Sequence, residues 1–164
     1  MGSNWKSILV VTVGATLAAA AMQVTAQALP YGATISTENA KKAGAAAFAE
    51  ARKNNWTQAI AITDPAGVLV YYERMDGTQN AAPDVAQGKA RSAALFRRNT
   101  KAFQDDVAAG GVGLRYLSLP GVVAAAGGNL LVIDGKIVGA IGVSGGTYAQ
   151  DEQVAAAGAA ALLQ

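Results

Sequence analysis

The chain has 164 residues, of which 38 are Ala and 19 Gly, while its large aromatic side chains number only three Phe, five Tyr and two Trp. Hydrophobic residues make up 52% and charged residues 15%, which excludes disorder as the main state, and the length allows one ordinary domain. With no Cys and no His, the sequence excludes disulfide staples, thiolate and Ser-His-Asp chemistry, the usual zinc sites and a proximal-His haem.

The N-terminus reads as an export signal. Lys6 supplies a positive first region, Ile8 to Met22 is an apolar stretch, and Ala26-Gln27-Ala28 gives the small-x-small pattern that signal peptidase reads. About 15 apolar residues fall short of the roughly 20 that a spanning helix needs, so no membrane span is expected after cleavage. The expected partition is a signal peptide over residues 1–28 and a single domain over 29–164, in a periplasm or outside the cell. Loss of Lys6 leaves 12 basic against 11 acidic residues. The basic concentration in what remains is Lys89, Arg91, Arg97, Arg98 and Lys101, with no acid between Asp84 and Asp105. No nucleic-acid motif accompanies it, so it reads as a solvated helix face or, more sharply, as the rim of a pocket for a carboxylate-bearing ligand.

Thr37 to Lys53 predicts the first helix, capped by Ser36 or Thr37, with Glu38 favoured by the dipole in the first turn. Ala40, Ala43, Gly44, Ala47 and Ala51 form a small-residue stripe that lets this helix lie close to a neighbour. Gln58–Thr63 and Val68–Arg74 predict a hairpin, because Asp64-Pro65-Ala66-Gly67 has the chemistry of a type I turn. Pro83 and Asp84 open a second helix to about Arg98, with Ala86, Ala90, Ala93, Ala94 and Leu95 inward and Lys89, Arg91, Arg97 and Arg98 outward or toward a pocket. Thr100 is expected to cap a short helix through Val107, followed by a glycine-rich break at Gly110–Gly113 and an apolar stretch without a clean period.

Asn129–Ile133 and Lys136–Val143 predict a second hairpin turned by Asp134-Gly135, both residues being tolerant of positive φ. Gly139 and Gly142 in its second strand imply that another element packs flat against it. Tyr148 to Leu163 predicts a final Ala-rich helix. Two hairpins and these helices give an α+β class: a central antiparallel sheet with flanking helices.

Backbone N–H groups around Ser144, Gly145, Gly146 and Thr147 sit where a helix N-terminus could hold an anion. The run lacks the lysine of a phosphate loop and the spacing of a dinucleotide fingerprint, so a nucleotide fold is not expected. Asp105-Asp106 and Asp151-Glu152 are sequence neighbours that point about a hundred degrees apart on a helix, so neither pair makes a general acid/base dyad by itself. Solvation is the expected role, with hard oxygen ligands for a cation as the alternative. Tyr71 and Tyr72 face opposite ways in their strand, and either phenolate is of a type that ligates ferric iron.

Taken together, Asp64-Pro65-Ala66-Gly67, Arg74-Met75-Asp76-Gly77, Lys89-Ala90-Arg91-Ser92-Ala93, Pro120-Gly121, the block Ile133 to Gly145, Asp151 and Ala155–Gly158 resemble the GlcG/HbpS-like family of small haem-binding proteins, which includes the C-terminal domain of PduO-type proteins. The resemblance spans about residues 32–163 and implies a profilin-like or PAS-like layer that assembles into homo-oligomers. Some members bind haem, some degrade it, and one exported group works with a sensor kinase, so a sensor or accessory protein is an implied partner. By resemblance to that exported branch, Thr100 is the candidate iron ligand, with Phe96 and Phe103 flanking the porphyrin and Lys89, Arg91 and Arg97 pairing with propionates. The leading expectation is an exported binder of haem or a similar planar, acid-bearing molecule, for storage, protection or sensing. The alternative is an enzyme acting on a small organic acid or carbonyl compound. There Lys89 or Arg91 and the Ser144–Thr147 backbone would hold the carboxylate, and Asp151 or a tyrosine would move a proton.

Overall fold

The computed structural model describes residues 28–163; the expected signal peptide lies, but for its last residue, outside the described residues. The elements are α1 (Thr37–Lys53), β1 (Ala59–Thr63), β2 (Leu69–Arg74), α2 (Ala82–Phe96), α3 (Thr100–Ala109), a 3₁₀ segment (Gly111–Leu117), β3 (Gly128–Ile133), β4 (Lys136–Ser144) and α4 (Tyr148–Ala160). The four strands form one antiparallel sheet in the order β2-β1-β4-β3, so each hairpin supplies one central and one edge strand. The expected α+β class, an antiparallel sheet with flanking helices, is the observed one.

The alternation of Ile and Ala along β1 builds two different faces. Ile60 and Ile62 join Leu131, Ile141 and Val143 beneath α1 and α4, with Phe48 as the large plug. On the other face Ala59 and Ala61 meet Ala82, Ala86 and Ala90 of α2, so that helix lies against a surface of methyl groups. Gly142 completes that surface: a Cβ there would run into the Ala86 carbonyl and come within 2.5 Å of the Ala90 nitrogen. The close packing inferred from Gly142 is therefore the seat of α2.

Both turns follow their residues. The Asp64 carbonyl accepts from Gly67 N at 3.0 Å and its carboxylate from Val68 N at 2.8 Å, while Gly67 takes a positive φ. Asp134 and Gly135 both have positive φ, as the two-residue turn requires. At α1, Ser36 Oγ accepts from Asn39 N at 3.1 Å, and the whole small-residue stripe is buried.

Helix α4 stops at Ala160, short of the expected Leu163, and four further expectations change. Lys89 is on the inner face of α2 at 1% exposure, whereas Leu95 lies outward at 38%. Thr100 is the first residue of α3 rather than its cap, because Asn99 takes that place and Thr100 turns into the sheet. Helix α3 runs to Ala109, past Val107. The segment after Gly110 forms a 3₁₀ turn that folds back on α3, where a Cβ at Gly113 would overlap the Asp106 carbonyl. No helix among the described residues is long and apolar enough to cross a membrane.

Candidate functional site

Three elements meet where β4 ends. Lys89 Nζ donates to Asp151 Oδ2 at 2.7 Å and to the Val143 carbonyl at 2.9 Å. Gln58 Nε2 and Gly146 N donate to Asp151 Oδ1 at 3.2 and 2.9 Å. Both ends of the ion pair are sealed, with side-chain exposures of 1% and 2%. Burial pushes the Asp151 carboxyl above its ordinary range, and Lys89 and the Gly146 amide pull it back. The neighbouring Glu152 accepts from Gly127 N at 2.8 Å. Asp151 and Glu152 are thus tied to backbone rather than merely solvated. A Cβ at Gly127 would come within 3.1 Å of Lys89 Nζ and 2.8 Å of Asp151 Cβ, so the glycine closes this junction.

The same contacts fill the anion-binding turn expected at Ser144–Thr147. Gly146 N is taken by Asp151, and Thr147 N by Gln150 Oε1 in a capping box whose other half is Gln150 N to Thr147 Oγ1. Ser144 is buried beside Ala59, and Gly145 lies against the Thr57 carbonyl. The anion at this helix start is the chain's own Asp151.

The basic run scatters rather than converging. Lys89 points inward. Arg91 leaves α2 on another side, donating to the Gly67 carbonyl at 3.3 Å at the mouth of a cavity of about 390 Å³ lined also by Thr63, Val68, Leu69, Gln87 and Gly88. The Thr63 hydroxyl there is buried and has no hydrogen-bond partner. Arg97, in a left-handed conformation at the end of α2, lies over the Tyr31 ring at 5.5 Å.

Arg98 belongs to a fourth place. Phe96 and Phe103 meet edge to face at 5.7 Å, and Phe103 and Tyr116 at 5.0 Å, so the expected pair of phenylalanines does come together and gains a tyrosine. Arg98 spans the cluster, donating to Tyr116 Oη at 3.1 Å and to Asp106 Oδ2 at 2.8 Å. Arg115 donates to the same phenol oxygen at 3.0 Å. These guanidiniums, Arg115 foremost, hold the Tyr116 hydroxyl below its ordinary pKa. A cavity of about 250 Å³ opens beside it, between Asp106, Gly110, Val112 and Arg115. Thr100 is next to this corner in sequence but fully buried. Its hydroxyl accepts from Gly128 N at 2.8 Å, and as placed it has no open face for an iron.

Tyr71 is the counter-example among tyrosines. It donates to Glu73 and packs against Gly44, and burial together with that carboxylate pushes its pKa up to about 12. Sequence reading missed Gln58, Tyr116 and Arg115. Tyr116 and Arg115 lay in a stretch with no hydrophobic period, and their only signal was a basic–aromatic neighbour pair after a glycine break. Among the described residues no group of three or more acidic side chains is placed to hold a metal ion.

A four-strand antiparallel sheet in this order, flanked by helices on both faces, defines a small α+β domain. The HbpS-like family model, described as haem degrading protein HbpS-like, matches residues 35–160, and the chain belongs to that family. It is 44% identical over 100 residues to Protein GlcG of Escherichia coli (strain K12), covering 61% of this chain and 73% of GlcG. The crystal structure of HbpS superposes with a TM-score of 0.74 at 30% identity, covering 83% of this chain and 95% of HbpS. The crystal structure of a PduOC:heme complex gives a TM-score of 0.70 at 26% identity, covering 80% and 99%.

Proposed function

We propose that this chain is an exported haem-binding protein, with the end of α2, the start of α3 and the 3₁₀ segment as its haem corner. The observation that carries the reading is family membership over residues 35–160, joined to a fold shared with a haem complex. The donor set fits the group in one respect and restricts it in another. The corner offers apolar ring edges and basic side chains for a planar acid, but with no His or Cys in the chain the iron must take a hard or thioether donor. The tripartite N-terminus supports export to a periplasm or beyond, which N-terminal sequencing of the protein from a periplasmic fraction tests. Homo-oligomer assembly and a sensor or accessory partner belong to the same reading. Light scattering tests the assembly.

The deciding experiment is a spectrophotometric titration of residues 29–164 with ferric haem, with Thr100→Ala beside the parent. A saturable Soret band is expected; a flat titration would overturn the haem reading. Since Thr100 is sealed against Gly128, its substitution is expected to lower affinity only modestly.

A second reading has its own observation. The Arg91 guanidinium stands at the mouth of a cavity walled by Val68 and Leu69, which suits a small carboxylate. Calorimetric titration with acetate, propionate and succinate, repeated on Arg91→Gln, separates it from haem binding. Asp151, the expected proton carrier of an enzyme, has a side-chain exposure of 2% and is held by Lys89.

A further inference from the structure

We infer that Tyr116 is the residue that ligates haem iron, its oxygen held by Arg98 and Arg115 at the edge of the Phe96–Phe103–Tyr116 cluster. The inference rests on the haem reading above and adds to it the ligand that the sequence did not reveal.

The argument begins with the oxygen. Among the described residues, Tyr116 is the one tyrosine whose Oη accepts hydrogen bonds from two guanidiniums, at 3.1 and 3.0 Å. A phenolate is stabilised by such charge-assisted donors, and a ferric iron is a hard cation that takes a phenolate oxygen, as tyrosine does in some haem proteins. Once the phenol proton leaves, the oxygen has one lone pair beyond the two that Arg98 and Arg115 occupy. Of the other tyrosines, Tyr72 and Tyr148, at 37% and 60% exposure, receive no guanidinium hydrogen bond on their oxygens, and four further donors are spent. Lys89 is locked to Asp151, and Thr100 is sealed against Gly128. Tyr71 gives its proton to Glu73, and Tyr31 donates to the carbonyls of Ala94 and Leu95 at 2.9 and 3.1 Å.

The backbone is shaped to deliver Tyr116 to this place. Gly110 and Gly111 both take positive φ, reversing the chain after α3, and Gly113 lies flat on the Asp106 carbonyl. That return seats Tyr116 against Phe103, itself buried at 2% exposure, so the ring is braced from behind while the oxygen stays at the cavity of about 250 Å³. Asp106 holds Arg98 from the other side at 2.8 Å, which fixes the direction in which the guanidinium donates. Arg98 and Arg115 are positioning residues in this arrangement. Val112 and Leu117, at 85% and 68% exposure on the same segment, supply apolar surface for a porphyrin to cover.

The test uses the whole chain with ferric haem added, read by visible absorption and resonance Raman. The parent is expected to show a phenolate-to-iron charge-transfer band and tyrosinate modes. Tyr116→Phe is expected to lose both and to weaken haem binding by more than the about 10–100-fold that changes outside the ligand shell cause. Tyr71→Phe should keep both signatures. Arg98→Gln, which leaves the ligand in place, should shift the charge-transfer band as the phenolate becomes a stronger donor. Circular dichroism of Tyr116→Phe checks that the fold is retained; the half-buried ring is replaced by one of the same shape. Haem bound by the parent without tyrosinate modes, or modes that survive in Tyr116→Phe, would overturn the assignment while leaving haem binding intact. A parent that binds no haem would overturn both.

Discussion

Two ion pairs in this molecule are alike in chemistry and opposite in setting. Lys89–Asp151 and Arg98–Asp106 each join a cation in or just after α2 to an aspartate on a later helix, at 2.7 and 2.8 Å. The first is shut away at 1% and 2% exposure; the second stands at 38% and 40%. In the sealed pair the carboxylate is surrounded by Gln58 and the Gly146 amide, so nothing remains to be offered to a ligand. In the open pair the guanidinium has donors to spare and spends one on Tyr116. Surrounding backbone, rather than the charges themselves, decides whether such a pair is a fastening or a working group.

The largest effect should come from splitting the sealed pair. Lys89→Met leaves Asp151 buried without its cation, and a loss of about 3–5 kcal/mol in urea unfolding is expected. Replacing both partners, Lys89→Met with Asp151→Leu, should return much of that, because the desolvation cost of both ions goes with them. Asp106→Asn at the open pair should cost under about 1 kcal/mol. Equal losses at the two sites would break the comparison. Next in size is Gly142→Ala, which drives a methyl into the Ala86 carbonyl and lifts α2 off β4. A loss of about 1–3 kcal/mol is expected. Because α2 carries Lys89, the same variant should raise hydrogen exchange at the Gly146 amide.

Much of the fold could be read from local chemistry. Asp64-Pro65-Ala66-Gly67 and Asp134-Gly135 make the turns they spell, and Gly142 marks the helix seat it was read as marking. The turns depend on residues within a few positions of one another, and Gly142 announces a close neighbour by lacking a side chain, without saying which element it is. The site was less legible because its partners are far apart in the chain. Lys89 is one of five basic residues in a run, and only the return of α4, 62 positions later, shows that it points inward. Thr100 looked like a cap because a hydroxyl stood at a helix start, but Gly128, 28 positions on, claimed it. Tyr116 had no periodic pattern around it. Its meaning comes from Arg98, 18 positions earlier, and from two glycines whose φ values bend the chain back. Phe96 and Phe103, placed around a planar ligand on resemblance alone, do meet, since a seven-residue spacing across a helix break still allows contact.

The smallest effect sharpens the contrast between tyrosines. Tyr71 is half-buried, donates to Glu73, and has its pKa pushed up from 10.0 to about 12, by burial first and the carboxylate second, against a weaker pull from Arg52. The folded state therefore keeps this proton while the unfolded chain loses it. Stability from Tyr71 is fully present below about pH 10 and drains away as pH rises toward 12. Thermal unfolding of the parent should fall across that window, and Tyr71→Phe, which has no proton to lose, should fall less steeply. Absorbance near the phenolate band would follow the same ionisation directly. Tyr116 faces guanidiniums where Tyr71 faces a carboxylate, so the steep alkaline loss belongs to the side of the sheet covered by α1 and not to the haem corner. An alkaline slope unchanged by Tyr71→Phe would place the titrating group elsewhere and remove the distinction between the two phenols.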